Sequence, residues 1–346
     1  MIISEKSKKL LALSKVKGVG RATVYKICSN YLISNDNDLI DVENIIKQEK
    51  LETNITQFKH YKKEVEQALD RIEKSTDFLY TILDEQFPKV IDSSVIKNSD
   101  KPFVLCGVGN EELLNSSKKI TIIGTREPGQ NAKIAIDHWT KYFAQNKNII
   151  VSGLALGCDT LAHEGALKHG TPTIAILGNT LDEIEPRQNR KLADSIVESG
   201  GLLLSEYFEP IPLGKERYEY SKRLIERDRL QAMFSSISIL VSSDLKGGSR
   251  HCMNKAKEYG IPRGVLCSPS FLSGNKTKGL SADIKIELNE QLINEPNVEN
   301  STLYKINHPN ALKDIENEIS KTKLSPLFTP PAKRNVSEHS EQLSLL

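Results

Sequence analysis

Four short stretches bring glycine together with hydroxyl, amide or cationic side chains in a spacing that lets backbone approach an anion. The first is Gly124-Thr125-Arg126-Glu127-Pro128-Gly129, where an arginine suited to bidentate phosphate contact follows a glycine directly. The second, Ser152-Gly153-Leu154-Ala155-Leu156-Gly157-Cys158-Asp159, leads into a segment of helical period that contains His163. Its amides can receive an anion at the helix start, and the same residues also suit a tight turn capped by Asp159. The third is Gly178-Asn179-Thr180-Leu181-Asp182, followed by Pro186 and Asn189. The fourth, Lys246-Gly247-Gly248-Ser249-Arg250, places three consecutive amides at a helix start between two cations and is the better phosphate cradle, although its glycines also permit a plain turn. Between the last two, Lys215 to Arg229 adds Lys222, Arg223, Arg227 and Arg229 to a segment that four acidic residues partly neutralise; a solvated helix face is its simplest reading.

Other chemistries lack their parts. No GxxxxGK[ST] loop is present, so nucleotide hydrolysis to drive work is not expected. The seven histidines are dispersed and no Cys/His cluster has ligand spacing, so neither a metal nor a cofactor is expected.

The elements that must position these loops are legible around them. From residue 119 onward, apolar runs (ITIIG, NIIVSG, TIAILG, GLLLSE, ISILVSS, RGVLCS) alternate with amphipathic segments at 131–145, 159–169, 188–199, 222–235 and 249–259. Uninterrupted apolar strands separated by single helices predict an α/β fold built on a doubly wound parallel sheet. In such sheets ligands bind outside the carboxyl ends of the strands, where all four loops fall. Residues 1–75 read as a small helical module around the turn Lys17-Gly18-Val19-Gly20. Residues 76–100 read as a linker, 101–290 as the α/β domain, 291–324 as a C-terminal extension and 325–346 as a flexible tail.

A chain of 346 residues accommodates such a domain plus a small module. Its 38% hydrophobic and 27% charged residues fit a soluble globular protein. The net charge of +2 neither demands nor excludes nucleic acid, because phosphate binding depends on how cations cluster. Cys28, Cys106, Cys158, Cys252 and Cys267 are widely spread without a CxxC pair and read as buried free thiols. The absence of a signal-peptide pattern or an apolar run of spanning length predicts a cytoplasmic protein without membrane attachment.

Taken in order, GTR, SGLALGCDTLAHEGAL, TIAILGNTLDEIEPRQN, LLSE, RDRL and GGS resemble the motif series of the DprA/Smf family, over about residues 100–268. LLALSKVKGVGRATVYKI is similar to the start of that family's sterile-alpha-motif-like or helix-hairpin-helix module. The resemblance implies a Rossmann-like domain that holds single-stranded DNA without catalysis, forms a homodimer and assists a RecA-type recombinase in DNA uptake, transformation or recombination. Carried over motif by motif, the DNA-contacting residues would be Gly124, Arg126, Ser152, Gly153, Asn189, Arg227, Arg229, Gly248 and Ser249. The sequence departs from the family pattern at Asp228 (usually Asn), Thr180 (Gly), Glu185 (Tyr) and Gly247 (Ser), and no winged-helix pattern follows the sheet. An added acid in the crevice should weaken phosphate binding, and these departures are compatible with a branch acting in repair or anti-phage defence.

Two other function classes use the same loops. A nucleotide-processing hydrolase on this fold needs an acid-base carboxylate, and Gly247-Gly248-Ser249-Arg250-His251-Cys252-Met253 offers none where that enzyme class carries its Glu. A sensor would hold one nucleotide in the crevice and signal through the helical module. Finally, Gln342-Leu343-Ser344-Leu345-Leu346 resembles the short peptides that dock on bacterial sliding clamps, with Gln342, Leu343, Leu345 and Leu346 as the contacts.

Overall fold

The computed structural model describes residues 2–32, 41–88, 95–212, 214, 216–267, 287–295, 301–308 and 310–321. The chain opens with helices α1 (Glu5–Ser14), α2 (Arg21–Ile27), α3 (Val42–Gln48) and α4 (Ile55–Ile72). Side chains of Ser4, Asp41 and Asn54 accept the free N–H groups that begin α1, α3 and α4. Along α4, Phe58, Val65, Ala68, Leu69 and Ile72 form one buried stripe at helical spacing. The expected module is therefore helical, as its periodicity required.

The sheet comprises β1 (Phe78–Thr81), β2 (Val104–Gly109), β3 (Lys119–Ile123), β4 (Ile149–Ser152), β5 (Thr173–Leu177), β6 (Leu202–Ser205), β7 (Ile237–Leu240), β8 (Arg263–Leu266) and β9 (Leu303–Ile306). Its order is β1-β2-β6-β5-β4-β3-β7-β8-β9. The run from β6 to β9 is parallel, whereas β1 and β2 add an antiparallel edge. Thr121 in β3 pairs with Val151 of β4 on one side and with Ser238 of β7 on the other. The chain thus steps outward from β3 to β6, then returns across the sheet to lay β7 against β3's free side. This reversal is the topological switch point, and it opens a crevice between the loops after β3 and β7.

Helices α5 (Gln130–Gln145), α6 (Cys158–Lys168), α7 (Arg190–Glu198), α8 (Glu216–Met233), α9 (Ser249–Glu258), α10 (Glu287–Ile293) and α11 (Asn310–Lys321) complete the described α-helices. Alternating strand residues serve opposite faces: Ile174 and Ile176 join the core with Leu230, Met233 and Met253, whereas Ala175 and Leu177 join the core with Ala193 and Ile196. The second core also contains Leu10, Leu11, Leu13, Val24 and Val65, so the N-terminal helices share apolar packing with the sheet.

Three features differ in extent from the sequence expectation. Strand β1 falls within 76–100, because it is short and its pairing partner lies beyond a long connection. β9 and α11 fall within 291–324 and extend the sheet at its other edge. Helix α8 begins at Glu216 rather than 222, since its charged first turns carry no apolar period. All five cysteines are free, four of them buried. Among the described residues, no helix is long and apolar enough to cross a membrane. The expected clamp peptide at 342–346 lies outside the described residues.

Candidate functional site

At the switch point lies a cleft of about 450 Å³. The loop after β3 forms one wall, the start of α9 a second, and α8 a third. On the first wall, Thr125 N–H donates to Ser242 O (2.7 Å) and Cys158 N–H donates to Thr125 O (3.0 Å), clamping the loop between β7 and α6. Gly124 permits that closeness, since a Cβ there would lie 2.5 Å from Cys158 Sγ. Arg126 projects from this fixed loop, exposed and without a hydrogen bond or ion pair among the described residues.

The second wall is an uncapped helix start. Gly248 is the N-cap of α9 and offers no side chain, and the N–H groups of Gly248 and Ser249 have no acceptor among the described residues. The next two amides turn inward, Arg250 N–H to Gly247 O (3.2 Å) and His251 N–H to Gly248 O (2.9 Å). Lys246 lines the same wall and is exposed. Two free amides on a helix axis, with Arg126 and Lys246 lining the same space, have the composition of a phosphate site.

Beneath the cleft the polar residues are spent on one another. Ser152 is fully buried, and its hydroxyl donates to Ile122 O (2.7 Å). Arg227 crosses directly over Gly153, where a Cβ would sit only 1.5 Å from Nη1. That guanidinium donates to Ile176 O (2.8 Å) and lies 3.4 Å from Asp228 Oδ1. Asp159 Oδ2 accepts the Gly153 N–H (3.1 Å). Burial raises the Asp159 carboxyl above its ordinary range, against the pull of Arg227. Thr173 Oγ1 gives its proton to Ile150 O, so His163 donates from Nδ1 to that oxygen (2.7 Å). Its Nε2 finds no partner among the described residues, and burial, reinforced by Arg227, pushes the His163 pKa down to about 3. His163 is a neutral structural group of this floor.

Asp228 occupies the floor itself, buried yet lining the cleft. With the Gln231 amide oriented to satisfy its neighbours, its nitrogen donates to Asp228 Oδ1 (3.1 Å) and its oxygen accepts the Gly153 N–H (2.9 Å). Burial raises the Asp228 pKa to about 7; Arg227 and Arg126 oppose that rise and Asp159 reinforces it.

The remaining expected residues lie around this centre or away from it. Asn189 is buried beside the cleft, where Nδ2 donates to Leu154 O (2.8 Å) and Thr160 Oγ1 (2.9 Å). It thereby holds Leu154 at φ +58°, a conformation unfavourable for a branched side chain. Arg229 does not line the cleft. It is buried in a different cluster, bidentate to Glu206 (2.7 and 2.6 Å), with Nε on Asp100 O (2.7 Å) and Nη1 on Glu226 O (2.6 Å). Arg21 of α2 reaches the same carboxylate at 3.1 Å and Glu226 at 2.7 Å, tying the helical module to the sheet.

Gly124, Arg126, Gly248 and Ser249 are thus brought together at the cleft surface, with Ser152, Gly153, Asn189 and Arg227 shaping it from below and beside. Lys246 lines the cleft beside the expected cradle, and Asp228 stands in the crevice as the added acid that the sequence reading anticipates; sequence reasoning missed Gln231. The available signal was the spacing of Ser221, Leu224, Asp228 and Gln231, which repeats at three and four residues and sets them on one face of α8.

The sequence profile of the DNA recombination-mediator protein A family matches residues 78–296. The chain is 33% identical over 173 residues to the DNA processing protein DprA of Bacillus subtilis, covering 50% of this chain and 55% of that protein. It is 33% identical over 196 residues to the DprA of Streptococcus pneumoniae, covering 56% and 64% respectively. These matches span between half and two-thirds of each relative's length. Among solved structures, DprA from Streptococcus pneumoniae superposes with a TM-score of 0.65 at 23% identity, covering 91% of this chain and 98% of that one, which shows the shared fold. DprA from Helicobacter pylori, described for its single-stranded DNA binding mode, superposes with a TM-score of 0.53 at 30% identity, covering 70% and 96%.

Proposed function

This chain belongs to the DNA recombination-mediator protein A family, and on that premise we propose that its switch-point cleft binds the phosphates of single-stranded DNA without catalysis. The observation that carries this reading is the pair of free N–H groups at Gly248 and Ser249, with Arg126 and Lys246 lining the same cleft. Backbone amides and cations recognise phosphate irrespective of base, as a strand handled for recombination requires. Gly124 and Gly153 permit the loop approaches, while Ser152, Asn189 and Arg227 hold the floor and rim in shape. Arg229 supports binding through the fold. We extend the reading to protection of the strand, homodimer formation and delivery to a RecA-type recombinase in the cytoplasm, in transformation, repair or defence. Docking of the 342–346 peptide on a sliding clamp belongs to the same proposal.

The test is fluorescence anisotropy of a labelled single-stranded oligonucleotide across a salt series, with duplex DNA and mononucleotides as competitors. Binding should weaken steeply with salt and prefer the single strand. Arg126→Ala should reduce both the affinity and the slope of log K against log salt, the latter by about 0.7, the value for one single-strand phosphate contact. An unchanged slope would refute Arg126 as a contact. Competition by a mononucleotide alone, insensitive to salt, would instead establish a nucleotide sensor.

A further inference from the structure

A site built for phosphate has a carboxyl group in its floor. Asp228 lines the same cleft as Arg126, Lys246 and the free amides of Gly248 and Ser249. Its Oδ2 lies 3.6 Å from where a Cβ on Gly248 would stand, so the carboxyl borders the amides that would receive the anion. Among the described residues only Oδ1 is engaged, through Gln231 and the nearby Arg227. An ionised Oδ2 beside a bound phosphate would set two anions against each other in a poorly solvated space. A protonated Oδ2 reverses that relation, because a carboxylic acid O–H donates a hydrogen bond to a phosphate oxygen.

We propose that a strand phosphate enters this cleft together with one proton taken up from solvent by the Asp228 carboxyl, making Asp228 the residue that sets the pH dependence of DNA affinity. The inference rests on the single-strand reading above and deepens it. Among the described residues, the titratable groups around Asp228 are Arg227 on the same helix, Arg126 after β3, Asp159 on α6, the buried thiol of Cys252 on α9, and Asp244, Lys246 and His251 on the β7–α9 wall. Arg227 is already committed to Ile176 O, and Asp159 adds negative charge, so the local field does not neutralise an ionised Asp228 fully. The carboxyl accordingly titrates at about 7 in the free protein, and phosphate raises it further. Affinity is then level below that pH and falls by up to about tenfold per pH unit above it, the limit for one linked proton.

The experiment measures binding of a labelled oligothymidylate to the full chain from about pH 6 to about pH 8.5 at fixed ionic strength, for wild type, Asp228→Asn and His251→Gln. Wild type and His251→Gln should lose affinity above pH 7, whereas Asp228→Asn should bind evenly and exceed wild type by more than about tenfold at the alkaline end. Titration calorimetry of the wild type in two buffers of different ionisation enthalpy counts the proton directly and needs no variant. Near pH 7.5, where a carboxyl titrating at about 7 is already protonated in about a quarter of the free molecules, it should show uptake of up to about three-quarters of a proton per bound site. Binding without proton uptake, or an equal pH slope in Asp228→Asn, overturns the inference and leaves the DNA reading standing. Failure of the wild type to bind at any pH overturns both.

Discussion

Arg229 offers the sharpest separation between a cation that touches DNA and one that holds the fold. In the structure its guanidinium satisfies both oxygens of Glu206 and two backbone carbonyls, with side-chain exposure of 3% for Arg229 and 6% for Glu206. Burial disfavours the ionised Glu206 carboxyl, yet Arg229 and Arg21 together hold it below its usual range. Arg229→Met removes every one of those bonds, leaving Glu206 with Arg21 alone at 3.1 Å and Asp100 O without its donor, while Glu226 O keeps its place in the α8 ladder. Breaking a buried pair from one side costs about 3–5 kcal/mol, chiefly the desolvation of the abandoned charge. Replacing both partners, with Glu206→Leu added, should recover part of that loss, because no uncompensated carboxylate remains. Urea denaturation followed through the single tryptophan, fully buried Trp139, reads the change directly. Single-strand affinity measured well below the unfolding transition should stay close to wild type. A variant of unchanged stability that fails to bind DNA would refute the argument and make Arg229 a contact residue.

Other consequences follow from the floor and rim. Asn189→Ala strips the donor from Leu154 O and Thr160 Oγ1, so it should cost about 1–3 kcal/mol in urea denaturation and weaken single-strand binding severalfold as the strained loop relaxes. His163 has a folded pKa of about 3 against an ordinary 6.5, so the unfolded chain takes up its proton first as pH falls. Its contribution to stability is complete above pH 6.5 and is lost toward pH 3 at up to about 1.4 kcal/mol per pH unit. Urea midpoints across this range should show that slope in wild type and a shallower one in His163→Asn, whose amide can still donate to Thr173; equal slopes would exclude His163 as the source.

Much of this architecture was written locally in the chain. Runs such as ITIIG and TIAILG are apolar but for one threonine each, because both faces of their strands are covered, and the glycine loops that follow them fall at the sheet's carboxyl ends. Helices α5, α6 and α9 began and ended within a residue or so of where their periodicity put them. The edge strand β1 escaped notice because its evidence is the partner β2, not its own four residues. The same limit applied to charge. Arg227, Asp228 and Arg229 are consecutive, and an α-helix turns about 100° per residue, so each faces a different environment. One lies over Gly153, one enters the cleft floor and one meets Glu206. Hydrophobic pattern is a local property and survives in the sequence. The partner of a charge is fixed only when distant segments meet, and that meeting decides whether a cation is free to bind phosphate or is already committed within the protein.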